Sequence, residues 1–254
     1  MPERPWVLAE LTWPLVSRSR YEVAVLPWGA TEAHNRHLPY STDSLQCERV
    51  AIEAAARAWR AGAKVLVLPT VPFGVQTGQL DIPFCLNMNP SSQAALLRDL
   101  VQSLDRHGVG KLVVLNGHGG NDFRQMIREL QPGCEMLLCQ VNWYACVDAR
   151  PFFTTPGDHA GELETSVLLK IAPELVRPLS EAGAGKERKA RVRGFREGWA
   201  WTPRRWTQVT DDTGVGDPRA ATAEKGERFF AAVVEQLSGF LVELAAVERE
   251  SLYE

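Results

Sequence analysis

Four short apolar runs punctuate the first part of the chain. They are Val23-Ala24-Val25-Leu26 within Tyr21 to Pro27, Lys64 to Pro69, Leu112-Val113-Val114-Leu115, and Cys134 to Val141. Runs this short, rich in β-branched residues and not broken by alternating polar ones, predict strands buried on both faces. Between them the period changes. Leu45, Val50, Ala51, Ala54 and Ala55 recur at helical spacing from Asp43 to about Ala61. Asn89-Pro90 supplies an N-cap and a first-position proline for a helix to Arg106, where His107 is read as the C-terminal cap before Gly108. Further helices are expected from about Asn121 to Leu130, from Glu164 to Ile171 and, long and amphipathic, from Ala223 to Glu248. Strands alternating with helices predict an α/β fold, a three-layer α/β/α arrangement around a mainly parallel central sheet. One domain over 1–254 is expected, with a loop or lid at about 180–217 where periodicity fades.

Composition narrows the possibilities modestly. A hydrophobic content of 45% with 23% charged residues is ordinary for a globular chain. The net charge of −3 gives no reason to expect nucleic acid or an anionic membrane as partner. No stretch reaches the ~18 consecutive apolar residues of a membrane span. The opening Met1-Pro2-Glu3-Arg4-Pro5-Trp6 lacks a basic segment followed by an apolar one, so a cytoplasmic location is expected. Five cysteines without a CxxC pair read as free thiols in a reducing compartment.

The chemistry lies in three polar, Gly-rich segments: Gly29 to Asp43, Asn116 to Asn121, and Asp158 to Glu162. The first two directly follow apolar runs, and strand ends of a parallel sheet converge on one edge. Glu32 and His34 are two apart, on one face if the backbone stays extended. Asp43 opens a helix, where capping competes with ligation for the same carboxylate. His118 stands among Gly117, Gly119 and Gly120, with backbone N–H groups of Gly119, Gly120 and Asn121 available to an oxyanion. His159 and Glu162 are three apart at a helix opening; Glu162 and Glu164 have the alternative role of complementing the helix dipole. His37 is either the partner that orients a ligand or a hydrogen-bonding loop residue. Imidazoles mixed with carboxylates are the ligands of hydrolytic Zn or Mn sites.

These segments resemble the creatininase (creatinine amidohydrolase) family. The family pattern G-[ST]-T-E-Q-H-G-P-H-L-P-x-x-T-D is similar to GATEAHNRHLPYSTD at Gly29 to Asp43. Val114 to Asn121, His159 to Ser166, and Gly214 to Gly226 extend the likeness in the same order, over residues 23 to 226. The resemblance implies two divalent ions per subunit, Zn or Mn, held by Glu32, His34, Asp43, His118 and Glu162, with Asp43 bridging. In creatininase a carboxylate ligand follows the third-strand histidine by two residues; that position is Gly120 here, so Glu162 is expected to replace it. Asn35 stands where glycine is usual, and the family's G-x-S-x-E-H segment reads Gly74 to Gln79 without its Glu-His pair, which speaks against creatinine as the substrate. A homo-oligomer, often a hexamer, is implied as well.

The resulting expectation is metal-dependent hydrolysis of a C–N amide bond in a small cyclic amide. Two ions ~3.5–4 Å apart acidify a shared water and polarise the carbonyl. His159 is expected to protonate the departing nitrogen. Deformylation of a formamide and trimming of a small peptide are alternatives with the same chemistry, and a catalytically idle metal-binding scaffold is an alternative of another class. Trp199, Trp201 and Trp206 are read either as an aromatic cover over the substrate or as a subunit contact. Lys186 to Arg205 holds eight basic residues against two acidic ones; it is read as a solvated loop, with Arg204 or Arg205 in reach of an anionic substrate group.

Overall fold

The computed structural model describes residues 4–253. Four strands form one parallel sheet in the order β2-β1-β3-β4: β1 (Val23–Trp28), β2 (Val65–Val67), β3 (Lys111–Asn116) and β4 (Leu137–Asn142). All four expected strands are present, although β2 keeps only the centre of its apolar run. Five helices of seven residues or more accompany them among the described residues: α1 (Thr42–Arg60), α2 (Pro90–Arg106), α3 (Arg124–Leu130), α4 (Glu162–Ile171) and α5 (Ala223–Ala246).

Alternate strand residues serve opposite faces, as the period of two demands. Val23, Val25, Val65, Val67, Val113 and Leu115 join a core with Val50, Ala54 and Ala58 of α1 and Phe229, Val233 and Leu237 of α5. Ala24, Leu26, Trp28, Leu66, Leu112 and Val114 join the opposite core with Leu97 and Val101 of α2 and Met126 of α3. The three layers follow. By length and composition α5 would pass for a membrane-crossing helix; its apolar stripe packs instead against α1 and α4.

Two turns are placed by local chemistry. Asn35 adopts φ 55°, the left-handed conformation that asparagine tolerates better than most residues. Its carboxamide exchanges two hydrogen bonds with Gly183, at 3.1 and 2.8 Å, tying the loop after β1 to the segment before α5. His107 is the C-cap of α2, as expected. Asn89 stands at the N-cap of α2, but its side chain bonds Asn87 instead of the helix.

The order β2-β1-β3-β4 sends the chain from β1 outwards in opposite directions. The helix after β1 covers one face and the helix after β3 the other. A crevice therefore opens beyond the carboxyl ends of β1 and β3, the place where open α/β sheets bind ligands. Gly29 to Asp43 leaves β1 there, and Gly117-His118 leaves β3.

Candidate metal centre

Glu32, His34, Asp43 and His118 meet at this switch point, all buried. Asp43 is the hinge of the arrangement. Its Oδ1 lies 3.0 Å from His34 Nε2 and its Oδ2 3.1 Å from His118 Nδ1. Glu32 Oε1 completes one group, 2.8 Å from His118 Nδ1. Glu32, Asp43 and His118 thus form one set of potential ligands within 4.8 Å, His34, Asp43 and Glu164 a second, and Glu32, His34 and His159 a third that lacks Asp43.

Each imidazole is oriented by its other nitrogen. His34 Nδ1 faces the Glu32 carbonyl at 3.1 Å, and His118 Nε2 faces the Val75 carbonyl at 3.0 Å. A carbonyl only accepts, so both of these nitrogens carry a proton, and the other ring nitrogens face the carboxylates, as N–H groups when the imidazoles are charged and as lone pairs once a metal replaces those protons. Glu32 Oε1 and Asp43 Oδ2 are buried and accept no aligned hydrogen bond, although His118 Nδ1 is close to both. Buried oxygens left in this state are costly unless a cation satisfies them. Mixed N/O donors around two shared points fit Zn or Mn.

Charge tells the same story. Burial alone would lower His34, but Asp43, Glu164 and Glu32 outweigh it and raise the imidazole from 6.5 to about 10. Burial likewise opposes the charge on His118, yet Glu32 and Asp43 lift it well above its ordinary value. Burial would raise Asp43; the charge of His34 and the contact with His118 hold it far below the usual carboxylate range instead. Without a metal, protons on the histidines balance the carboxylates. The stability they provide is complete below about 6.5 and fades as pH rises towards about 10, while that from Asp43 is present above 3.8 and lost as pH falls further. A metal must displace these protons. Loading at pH 7 is expected to release about two protons, with affinity rising about tenfold per pH unit for each imidazole. Calorimetry in buffers of different ionisation enthalpy measures this; metal uptake without proton release would refute it.

Glu162, expected as a fifth ligand, falls outside the clustered groups. Glu162 is buried, but it accepts N–H groups from Thr154 and Thr155 at 2.8 and 2.7 Å and pairs with Lys225 at 2.5 Å. After the opposing effect of burial, Lys225 and these donors hold it below its ordinary pKa. It belongs to neither group that contains Asp43. Glu164 is the carboxylate that joins His34 and Asp43: its Oε2 lies 4.0 Å from His34 Nε2 and accepts the Ala160 N–H. Gly120 shows why the carboxylate cannot come from the loop after β3. A Cβ there would stand 2.3 Å from the Val75 carbonyl oxygen and 2.5 Å from His118 Nε2.

His159 reaches the centre from the other side. Its Nε2 donates to the Ala33 carbonyl at 2.8 Å, leaving Nδ1 facing Glu32 Oε1 at 3.7 Å. The ring packs on His34 and on Trp206, with centroids 4.2 and 4.7 Å apart. His37 bonds Thr165 Oγ1 at 2.8 Å and so fastens α4, the helix that carries Glu164. Burial and the nearby His34 charge lower its pKa to about 4.

Other expected contacts are absent. The Asn121 N–H donates to the His118 carbonyl, and its side chain is engaged by Val75, Gln93 and Asn116. Gly120 flanks the His118 nitrogen turned away from the carboxylates, and Gly119 is exposed. The Asn121 N–H is therefore already engaged and is not free for an oxyanion. Trp199 and Trp201 are 74% and 82% exposed. A left-handed Gly198 turns Trp199 back over Gly194 and away from the centre. Trp206, at the start of a short helix, is the tryptophan that reaches it. Arg204 is committed to Asp158 and is not free for an anion. The basic stretch is a solvated surface with its own exposed pairs, such as Arg188 with Asp211.

A model of the family described as creatinine amidohydrolase matches residues 9–241. The chain belongs to the creatininase family. A creatinine amidohydrolase candidate from Bacteroides fragilis is 43% identical, with a TM-score of 0.93 over the whole of both chains. The mycofactocin precursor peptide peptidase of Mycobacterium tuberculosis is 30% identical over 83% of this chain and 81% of its own length. Solved creatininases, including a manganese form and a Zn-Zn form, share the fold at TM-scores of 0.79 and 0.78 with 22% identity; each covers 95% of this chain and 99% or 98% of the other. This creatininase-family chain is a hydrolase acting on C–N bonds, and it retains clustered groups able to hold metal.

Proposed function

We propose that this creatininase-family hydrolase cleaves a C–N amide bond of a small substrate at a binuclear Zn or Mn centre. The carrying observation is Asp43, whose two oxygens address two histidines in two separate ligand groups. Glu32, Asp43 and His118 would hold one ion, and His34, Asp43 and Glu164 the other. Bound there, the ions would supply Lewis acidity and an acidified water.

The chain's own residues supply the rest. His159 turns Nδ1 to the centre because its Nε2–H is held by the Ala33 carbonyl. Nδ1 can take a proton from the attacking water and return it to the departing nitrogen, which is a poor leaving group until protonated. Trp206 packs on that ring and limits access of bulk water. Thr207 bonds Asp81 at 2.7 Å, joining the segment around Trp206 to the one around Gly78. These two segments cover the centre, so the 180–217 region acts as a lid whose opening admits substrate.

An enclosed centre favours a compact amide, cyclic or formyl. Likeness to the mycobacterial peptidase supports cleavage near a peptide terminus as the second reading. A panel of lactams, cyclic ureas, formamides and short peptides, assayed with Zn- and Mn-loaded protein, separates them. No turnover with any member would leave an idle scaffold. His159→Gln is expected to keep both ions and lower kcat by about 100–10,000-fold; a kcat near wild type would remove the proton-transfer role. Exposed Trp199, Trp201 and Phe84 support a homo-oligomer, which light scattering of the same preparation decides.

A further inference from the structure

The two carboxylate oxygens of Glu32 are in different situations. Oε1 faces His118 and accepts no aligned hydrogen bond, whereas Oε2 accepts from Gln79 Nε2. Gln79 is only 2% exposed. Its Oε1 accepts the thiol of Cys85 at 3.2 Å, and Cys85 Sγ in turn accepts the N–H of Ala33 at 3.3 Å. The chain of contacts leaves the backbone beside Glu32 and returns to the Glu32 side chain.

Its polarity is forced. A carboxylate only accepts, so Gln79 presents its amide nitrogen to Glu32 and its oxygen to Cys85. The backbone is bent to make this possible. Phe84 adopts φ 59°, a conformation costly for a residue with a bulky side chain, and is left 83% exposed while Cys85 turns inward. Such a distortion persists where the surroundings require it.

We infer that Gln79 and Cys85 are positioning residues that restrict Glu32 to one ligating oxygen at the Glu32–Asp43–His118 end of the centre. Gln79 occupies Oε2, so Oε1 alone is offered to an ion. Neither the Gln79 nor the Cys85 side chain hydrogen-bonds His34, Asp43 or Glu164. The inference rests on the binuclear reading above and assigns an asymmetry between its two ends.

The test is an equilibrium titration of the full chain with Zn²⁺ and with Mn²⁺ against a chromophoric chelator. Gln79→Met keeps the volume and removes both hydrogen bonds; Cys85→Ala removes the thiol, and Cys85→Ser restores a donor and an acceptor. Gln79→Met is expected to weaken one ion about 10–100-fold and leave the other unchanged. Cys85→Ala should shift the same ion less, and Cys85→Ser should return it to wild type. Two ions of unchanged affinity in Gln79→Met, or equal weakening of both, overturn the inference while leaving the metal centre intact. A wild-type chain that binds neither ion overturns both readings. If Gln79→Met does not fold, the cysteine pair decides: alanine weaker than serine supports the assignment, and equal affinities overturn it.

Discussion

Asp43→Asn is expected to abolish tight binding of both ions together and to lower kcat/KM by at least about a thousandfold. Among the described residues, Asp43 alone belongs to both the Glu32–Asp43–His118 and the His34–Asp43–Glu164 groups. Asparagine offers one carbonyl oxygen where the carboxylate offers two, and its NH2 group would confront either His34 Nε2 or His118 Nδ1. The charge balance also fails, because a buried carboxylate that offsets positive charge is gone. Losses at the other ligands should be narrower: Glu164→Gln weakens the His34 end and spares the Glu32 end. Metal analysis by mass spectrometry, with circular dichroism to confirm folding, is the check. Two ions retained in folded Asp43→Asn would remove the bridging role and the binuclear assignment with it.

Lys225→Met is expected to leave metal content unchanged and to destabilise the chain by about 3 kcal/mol, the low end for breaking a buried ion pair. Glu162 has no exposed side-chain surface, while Lys225 is 26% exposed, and Thr154 and Thr155 still donate to the stranded carboxylate. For a chain of this size that corresponds to a fall in Tm of about 6–12 °C. The opposite pattern, a stable variant that has lost an ion, would return Glu162 to the centre. Paired with Glu164→Gln, this substitution separates a structural carboxylate from a ligating one two residues away.

Much of the architecture was legible along the chain because it rests on short-range periodicity. Short apolar runs announced β1, β3 and β4, those of β1 and β3 leading into Gly-rich segments, and Asn89-Pro90 located the start of α2. Four of the proposed ligands, Glu32, His34, Asp43 and His118, were legible for a related reason: each leaves a strand end or opens a helix at the sheet edge where the topology gathers such residues. Gln79 and Cys85 were not. They belong to an irregular segment whose side chains are aimed by the left-handed Phe84, and no spacing signals that bend.

The choice between Glu162 and Glu164 shows where linear reading stopped. Both lie in the first turn of α4, and two residues on a helix project about 200° apart. Either could face the centre, depending on how the helix is rotated about its axis. That rotation is set by its neighbours: Gly226 brings α5 so close that a Cβ would stand 1.9 Å from the Ser166 carbonyl oxygen, and His37 holds Thr165. Packed this way, α4 directs Glu162 to Lys225 and Glu164 to His34. Residue identity and spacing therefore determined the chemistry available to this protein, and helix rotation, a property of packing, determined which carboxylate delivers it.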